Sequence, residues 1–334
     1  MKKRFSVLFL FFFLCIAAFA EKIGVVSFNI QGFGPQARQY KHDYENKKWL
    51  DNIATILINS KASLIFLQEV PIEKNNNEKT IVRYLTSKLG NSWLSYDTLN
   101  YSNSRCKYGL DNVILYDSSR LVSHEDDSYY INFKDSNCDY KFVKNNAQVA
   151  RFYLSGNETE SFFAINVHMP FSDKNGTNED EKWADWYLDY DYLINMFSYL
   201  SETYSNRILI GGDFNSYGRE SLVKGDNTAR DFKDAIVDGE SSPFFNPADC
   251  LKTSISTSNQ KNKIILANAH DHFIVSNINI SEEMHHCIEG YRNESQTAFF
   301  QVIKVGRNSY TTCEDVKKFI SDHMPIAIEL EFEN

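Results

Sequence analysis

The chain has 334 residues, of which 43% are hydrophobic and 24% are charged, and its formal net charge is −9. A chain of this length can bury a core that does not need disulfide staples to fold. Its acidic balance excludes a global attraction to nucleic acid or anionic membranes, so a polyanionic substrate would have to be held by a local site, with a cation in it.

The first 20 residues predict a secretory signal peptide. Positions 2–4 are basic (KKR), an unbroken apolar run follows, and positions 18–20 (AFA) form a small-x-small cleavage site. A membrane anchor is the alternative, but the apolar run is short for a span of about 20 residues. We therefore expect cleavage near Ala20 and a secreted or periplasmic protein.

The remaining chain alternates between strand and helix patterns. In chain order, strands are predicted at 22–30, 64–70, 112–117, 148–156, 160–170, 207–215, 264–276 and 324–332, and helices at 49–59, 80–89 and 184–204. The polar segments 117–145 and 216–262 predict long surface loops. Strands both adjacent and separated by helices predict two mixed β-sheets packed face to face and flanked by helices, which is a four-layered α/β sandwich. Since no linker or repeat divides the chain, residues 21–334 are predicted to form one domain.

Five cysteines follow the signal segment, and their spacing matches no common zinc pattern. Export permits disulfides, and an odd count leaves one cysteine unpaired or paired with another chain. We predict that two bridges pin loops, Cys106–Cys138 and Cys287–Cys313, with Cys250 left over.

Polar side chains recur where the predicted apolar strands end. They are Asn29, Glu69, His168, Asp213 with Asn215, Asp271, and Asp322 with His323. Each alone has an ordinary explanation as a turn cap, a solvated charge or a partly buried histidine. Because strand ends converge on one edge of a sheet, where ligands bind in crevices, their recurrence predicts one shared site.

The stretch ILIGGDFN ends an apolar run on two glycines, an acid and an amide. We interpret Gly211 and Gly212 as allowing a tight backbone turn, so that Asp213 and Asn215 reach a cation and a phosphate. The histidines flanking Asp271, His270 and His272, are interpreted as structural, because neighbouring strand residues point to opposite faces.

These residue types suit phosphoryl chemistry on a divalent cation. Carboxylate and carbonyl oxygens are hard ligands for magnesium, manganese or calcium. A phosphodiester repels hydroxide, so a metal must neutralise its charge. A histidine can donate to a phosphate oxygen, and an aspartate that accepts from the histidine ring sets its tautomer and raises its basicity.

Six motifs, in this order, resemble the endonuclease/exonuclease/phosphatase superfamily and, within it, deoxyribonuclease I. They are SFNIQGFG, LQEV, INVHMP, GGDFN, AHDHFIVS and SDHMPI, and they extend over nearly the whole mature chain. The run DSYYI at 127–131 and the secretory signal also favour the deoxyribonuclease I branch.

The resemblance implies a metal site and a substrate site. Glu69 matches the principal ligand of Mg²⁺ or Mn²⁺, assisted by Asn29, while Asp322 matches a further metal or water ligand, with Ca²⁺ in a structural or supporting role. Asn215 matches a phosphate-binding residue, and Tyr108 matches a phosphate-contacting tyrosine, with a packed loop aromatic as its alternative.

The resemblance also implies the catalytic roles. Asp213 matches the residue that orients or activates the attacking water, and His168 the histidine that contacts the scissile phosphate and helps the leaving oxygen. His323 matches a general base or a phosphate-stabilising histidine, oriented by Asp271. The implied reaction is in-line attack of water on phosphorus that leaves 5′-phosphate ends on DNA.

The periphery departs from the deoxyribonuclease I pattern. Pro71 and Asn145 stand where that family has DNA-gripping arginines, and Leu110 stands where it has a glutamate. Arg105, Lys107, Lys144 and Arg219 are candidates to replace the lost contacts. The leading hypothesis is a monomeric deoxyribonuclease without a stable protein partner, with RNA as a further substrate. The alternatives are a sphingomyelinase, an inositol-phosphate phosphatase, or a non-catalytic binding module.

Overall fold

A computed structural model of the chain gives its architecture. The structure describes residues 21–31, 48–71, 80–96, 110–124, 128–131, 147–169, 186, 193, 195–205, 207–215, 264–265, 270–280, 299–300, 303–305, 307–310, 315, 317 and 319–332. The predicted signal peptide, Tyr108 and all five remaining cysteines lie outside these residues, so their assignments stay predictions.

Strands dominate the described part of the chain. In chain order the elements are β1 (Glu21–Asn29), α1 (Lys48–Ser60), β2 (Leu64–Pro71), α2 (Thr80–Leu89), β3 (Trp93–Ser95), β4 (Leu110–Asp117), β5 (Leu121–Val122), β6 (Ser128–Ile131), β7 (Ala147–Leu154), β8 (Asn157–His168), β9 (Ile208–Asp213), β10 (Ile264–Ile265), β11 (Asp271–Ser276), β12 (Asn279–Ile280), β13 (Phe299–Phe300), β14 (Ile303–Val305), β15 (Asn308–Tyr310) and β16 (Ile326–Phe332). Residues 195–203 are also helical.

Two six-stranded sheets carry the fold. The first has the order β12-β16-β1-β2-β4-β3, and the second has the order β11-β9-β8-β7-β5, with β6 also paired to β7. Each sheet contains one parallel pair, β1 with β2 and β8 with β9, while their other pairs are antiparallel. A parallel pair needs a crossover, and the crossover from β1 to β2 carries α1.

The two sheets pack face to face, and helices cover their outer faces. The inter-sheet core joins Val25, Phe66 and Ile328 of the first sheet to Phe152 and Phe162 of the second. A second cluster packs α1 and α2 against the outer side of the first sheet. A third packs the helical residues Met196, Phe197 and Leu200 on the outer side of the second. The predicted four-layered sandwich is therefore confirmed.

Local signals mark the ends of both short helices. Lys61, with φ 54°, follows α1, and Gly90, with φ 136°, follows α2 and donates its N–H to the carbonyl of Thr86 (3.0 Å). A left-handed residue directly after the last turn is a common way for a helix to end. Both helices lie within one residue of the predicted ranges, and the third predicted helix is confirmed over 195–203.

Two predictions for chain segments were wrong in part. The stretch 264–276 was expected to be one strand, but Ile264–Ile265 pairs with β13 and Asp271–Ser276 pairs with β9. The segment 117–145 was expected to be loop, but it contains β5 and β6, both of which pair with β7. Whether such short strands form depends on the neighbouring strand with which they pair, and the local sequence does not identify that strand. The assignment of residues 21–334 to one domain stays a prediction.

None of the helices that the structure describes is long and apolar enough to cross a membrane.

Candidate active site

The site lies at the polar end of the inter-sheet core. Alternate residues of each strand face this core. In several strands the core-facing residues are apolar at one end of the strand and polar at the other. In β2 the inward series runs Leu64, Phe66, Gln68, and in β8 it runs Phe162, Ala164, Asn166. The polar ends lie at one edge because the strands pair in register.

A β-bulge presents Glu69 to this edge. Leu67 pairs with Val113 and Val70 pairs with Asp111, so Gln68 and Glu69 together oppose the single residue Asn112. Glu69 adopts φ 56°, which a non-glycine residue rarely does without support from its surroundings. Bulges of this kind re-aim a side chain, and here the re-aimed group is a carboxylate.

The glycines of β9 do not form the tight turn that we expected. Both lie within the strand, with Gly211 opposite Phe273 and Gly212 opposite His272 on β11. A Cβ at Gly211 would lie 2.6 Å from the ring of Phe273, and a Cβ at Gly212 would lie 1.9 Å from the carbonyl oxygen of Val167. They are therefore needed for close approach of neighbouring groups, which brings Asp213 beside His168.

Helix α1 holds the segment that carries Asp322 and His323 in place. The indole N–H of Trp49 donates to the carbonyl of Ile320 (2.7 Å), and Asn52 donates to that of Phe319 (2.7 Å). Ser321 then donates to the carbonyl of Asn29 (2.6 Å) and accepts the N–H of His323 (3.1 Å). These contacts attach Asp322 and His323 to the end of β1.

Asn29 bridges two carboxylates. Its Nδ2 lies 2.9 Å from Asp213 Oδ2 and 3.3 Å from Glu69 Oε1. Its Oδ1 accepts the backbone N–H of Gln31 (2.9 Å), and the Gln31 side chain accepts the N–H of Asp322 (3.0 Å). In this orientation Asn29 offers a hydrogen-bond donor to Glu69 and Asp213, and its predicted role as a metal ligand stays a prediction.

Two histidines face the same carboxylates. His168 Nε2 lies 3.7 Å from Asp213 Oδ2 and 3.8 Å from Glu69 Oε1. His323 Nε2 lies 3.6 Å from Asp213 Oδ2, while its Nδ1 lies 2.8 Å from Asp271 Oδ2. The predicted acids and imidazoles therefore meet in one pocket, and Asp271 holds the far side of the His323 ring.

Electrostatic interactions within this cluster favour a protonated His323 and an ionised Asp213. Burial by itself would lower the pKa of His323, but the carboxylates of Asp271 and Asp213 outweigh it and raise that pKa well above 6.5. Burial would likewise raise the pKa of Asp213, but three neighbouring histidines and the amide of Asn29 hold it below 3.8. In the metal-free site, His323 is therefore a cation beside an anionic Asp213.

Asp322 lies at the rim of the site, with 33% of its side chain exposed. Partial burial, together with the like charges of Glu69 and Asp213, raises the pKa of Asp322 to about 6 against the opposing charges of His323 and Lys317. A carboxylate crowded by other carboxylates is a place where a cation binds favourably, since it offsets their repulsion.

The donor set fits a divalent cation. Ligand atoms of Asp213, Asp271 and His323 lie within 4.8 Å of one another and could hold a metal ion. Glu69, from β2 of the first sheet, and Asp322, from the segment before β16, add carboxylate oxygens. Such oxygen-rich sets suit Mg²⁺ or Mn²⁺. The identity of the metal stays a prediction.

Not every predicted residue faces the cleft. The side-chain amide of Asn215 donates to the carbonyl of Met169 (2.7 Å), and its N–H donates to Asp213 Oδ1 (2.8 Å). Asn215 thus joins the loops after β8 and β9, with φ 48°, and its predicted phosphate contact stays a prediction.

The two histidines beside Asp271 differ. His272 is fully buried against Phe214 on the outer side of its sheet, with ring centroids 5.6 Å apart, as expected of a structural residue. The ring of His270 lies instead 6.0 Å from that of His323. His270 precedes the first residue of β11, so strand alternation does not turn it away from the site.

Several site-supporting residues were missed by sequence reasoning. Ser27, Gln31, Gln68, Asn112, Asn166 and Ser321 all bond within or beside the cluster. The signal that could have found most of them is the period of two, because Ser27, Gln68, Asn112 and Asn166 are polar at inward-facing positions of otherwise apolar strands.

Comparison with known proteins agrees with this fold. No protein-family model matches the chain, and no curated protein matches its sequence. Among solved structures, an endonuclease/exonuclease/phosphatase family protein from Bacteroides thetaiotaomicron has a TM-score of 0.55 at 12% identity, over 94% of this chain and 96% of that one.

Two further structures match over similar lengths. ANGEL2, a 2′,3′-cyclic phosphatase in complex with adenosine-2′,3′-vanadate, has a TM-score of 0.56 at 12% identity, over 94% of this chain and 97% of that one. D. rerio TDP2, complexed with a single-strand DNA product, has a TM-score of 0.52 at 14% identity, over 93% of this chain and 99% of that one. All three neighbours belong to the endonuclease/exonuclease/phosphatase superfamily, so the expected fold is confirmed. Sequence identities as low as these show a shared fold and nothing more specific.

Proposed function

We propose that this protein is a divalent-metal-dependent phosphoester hydrolase and, more specifically, an endonuclease that cleaves DNA to leave 5′-phosphate ends. The observation that supports it best is the meeting of Asn29, Glu69, His168, Asp213, Asp271 and His323, from six separate chain segments, in one pocket. A pocket that combines acids with paired imidazoles suits attack on phosphorus.

Asp213 is the proposed acceptor for the attacking water. Its low pKa keeps it ionised at neutral pH, and Asn29 and the Asn215 N–H hold its two oxygens in place. Since an ionised carboxylate can accept a hydrogen bond from water, Asp213 can orient that water and take up its proton as the P–O bond forms.

His323 is proposed to stabilise the phosphate rather than to act as the base. Its raised pKa keeps both ring nitrogens protonated in the metal-free site. Nδ1 donates to Asp271, and Nε2 lies on the side of the ring that faces Asp213. A cationic donor there can stabilise the charge that develops on phosphate oxygens. His168, which also faces Asp213, is proposed to donate to the leaving oxygen.

Glu69 and Asp322 are the proposed metal ligands, with Asn29 and the carboxylate of Asp213 beside them. When bound, the metal supplies charge neutralisation of the phosphodiester.

DNA is the favoured substrate for two reasons. The D. rerio TDP2 structure, which shares this fold, is complexed with a single-strand DNA product, and the motif order resembles deoxyribonuclease I. ANGEL2, described as a 2′,3′-cyclic phosphatase, also shares the fold and makes a 2′,3′-cyclic phosphate the second candidate.

Parallel assays test the proposal. Purified protein with Mg²⁺ or Mn²⁺ is offered plasmid DNA, single-stranded DNA, a 2′,3′-cyclic nucleotide, sphingomyelin and an inositol polyphosphate. We expect nicking of plasmid that chelator abolishes and that His168→Ala lowers by about 100-fold or more, the usual scale for loss of an acid–base group.

His124→Ala is the matched control, because His124 is an exposed histidine that lies 4.0 Å from Glu158, outside the site. Its activity should equal that of the wild type.

Hydrolysis of sphingomyelin, the inositol polyphosphate or the cyclic nucleotide without nicking of plasmid would show that the substrate is that compound and not DNA. Inactivity towards all five substrates with either metal would support a non-catalytic binding module.

We further propose that the protein is exported. The basic, apolar and small-residue order of positions 1–20 supports it. N-terminal sequencing of protein recovered outside the cytoplasm should begin near Glu21, and an intact Met1 in that fraction would contradict cleavage.

A further inference from the structure

Two buried amides join the sheets directly beneath the bulge that carries Glu69. Gln68 extends from β2 and Asn166 from β8, and neither side chain is exposed to solvent. Gln68 Nε2 donates to Asn166 Oδ1 (2.6 Å) and to Ser27 Oγ (3.1 Å). The core between the sheets is otherwise built from apolar residues in the neighbouring positions of these strands, such as Phe66 and Ala164.

Asn166 bonds to the backbone where the β2–β4 ladder breaks. Its Nδ2 donates to the carbonyl of Leu67 (2.9 Å) and to that of Val113 (3.1 Å). Leu67 and Val113 are the last regular pair before the bulge. Asn112, the residue that opposes the bulge, donates in turn to the carbonyl of Asn166 (3.4 Å).

These bonds compensate a conformation that local sequence does not favour. Buried carbonyls left without a donor destabilise a fold by about 1–3 kcal/mol each, and a left-handed non-glycine residue such as Glu69 adds strain. Asn166 supplies donors from the facing sheet at the point where the ladder cannot. The same strand, two residues later, carries His168.

We propose that Asn166 and Gln68 are positioning residues: they hold the β2 bulge so that the Glu69 carboxylate meets His168, Asp213 and a divalent cation. This rests on the proposed function, in which Glu69 is a metal ligand. Neither amide touches the reacting atoms, so the effect passes through the placement of Glu69. Outer partners of this kind commonly change metal affinity by about 10-fold to 100-fold when they are removed.

The test measures binding of Mn²⁺ alone by calorimetry, together with thermal unfolding of the same samples. Asn166→Leu keeps the side-chain volume but removes both donors, and we expect its Kd for Mn²⁺ to rise by about 10-fold or more. Gln68→Met removes the inter-sheet bond from the other side and should act in the same direction. The Kd of the double variant for Mn²⁺ should be about equal to the higher of the two single-variant values, since the two amides act as a unit.

Gln148→Met is the matched control. Gln148 is another buried amide, and it is the cross-strand neighbour of Asn166 on β7, but its Nε2 donates to the carbonyl of Tyr96 (3.2 Å), away from the bulge. It should lower the unfolding temperature as a buried polar-to-apolar change does, while its Kd for Mn²⁺ stays within about twofold of the wild type, well short of the change expected for an outer partner.

The outcomes separate this inference from the proposed function. If folded Asn166→Leu and Gln68→Met bind Mn²⁺ as tightly as Gln148→Met does, the positioning role is overturned and the proposed function is untouched. If Asn166→Leu does not fold, Gln68→Met decides between these results. If the wild type neither binds Mn²⁺ nor cleaves any phosphoester, the proposed function fails and this inference fails with it.

Discussion

At the scale of single residues, the protonation of His323 links the site to the stability of the protein. Two carboxylates raise the pKa of His323 well above its ordinary value of 6.5, although burial opposes the charged ring. Because the folded state then binds the proton more tightly than the unfolded state, charged His323 contributes stability. That contribution is complete below about pH 6.5 and is lost as the pH rises through the raised pKa.

We therefore predict a pH-dependent loss of stability in the metal-free protein. Between pH 6.5 and the raised pKa of His323, the free energy of unfolding should fall by up to about 1.4 kcal/mol per pH unit. Denaturant unfolding at several pH values, in the presence of chelator, measures this slope.

His323→Gln should lack that slope, because it removes the titrating ring. His124→Gln should keep it, because His124 is an exposed histidine with 49% of its side chain in solvent. A wild-type stability that is constant or rises over this interval would show that the ion pair with Asp271 does not form.

At the scale of elements, β9 shows why a local motif needs its neighbours to be understood. The Gly-Gly pair is compatible with a turn, yet it lies in a central strand between β8 and β11. Gly212 has φ 151° and lies against the Val167 carbonyl, while Gly211 lies under the ring of Phe273. Glycine is required there because the missing side chain leaves room for other groups.

Gly212→Ala should therefore be strongly destabilising. Its Cβ would lie 1.9 Å from the Val167 carbonyl oxygen, so the β8–β9 pairing would have to shift. We expect a loss of at least about 3 kcal/mol in the free energy of unfolding, in the range of severe single substitutions. Chemical denaturation of the purified variant provides the measurement.

Gly156→Ala separates backbone strain from the steric clash. Gly156 also has a positive φ, 83°, but a Cβ there would meet no atom within 4 Å. Its loss should be about 1 kcal/mol, the order expected for strain alone. Equal losses in the two variants would mean that contact with Val167 is unimportant.

At the scale of the whole molecule, aromatic packing between the two sheets holds the pocket together. Phe162 of β8 is fully buried, and its ring centroid lies 5.2 Å from that of Phe332 on β16 and 6.0 Å from that of Phe152 on β7. Phe162 thus contacts both sheets. Since Glu69 comes from one sheet and Asp213 from the other, the geometry of the pocket depends on this core.

Phe162→Ala should lower the free energy of unfolding by about 3–5 kcal/mol, the usual scale for a buried phenylalanine. The described sheets should still unfold in one cooperative transition, as expected if residues 21–334 form one domain. Circular dichroism and tryptophan fluorescence, followed in the same denaturant series, provide two probes.

Leu94→Ala is the control for Phe162→Ala. Leu94 is 46% exposed, so its loss should stay within about 0.5 kcal/mol. Two separate transitions in the wild type would contradict the single-domain prediction and leave the packing argument in place.

The sequence by itself determined the four-layered sandwich and the principal acids and histidines that the structure brings together. Alternating apolar residues record which face of a strand is buried, and a polar residue at a strand end, such as Glu69 or His168, marks where that face meets solvent or a ligand. These are local properties, so the order of residues alone is enough to predict them.

Only the tertiary structure decided how those residues meet. The bulge at Glu69, the orientation of the Asn29 amide, the split of 264–276 between two pairings, and the proximity of His270 to His323 all depend on partners far along the chain. Asn29 and Asp213, for example, are 184 positions apart and are joined by a 2.9 Å hydrogen bond. Such contacts follow from how two sheets pack, and no local periodicity records that packing.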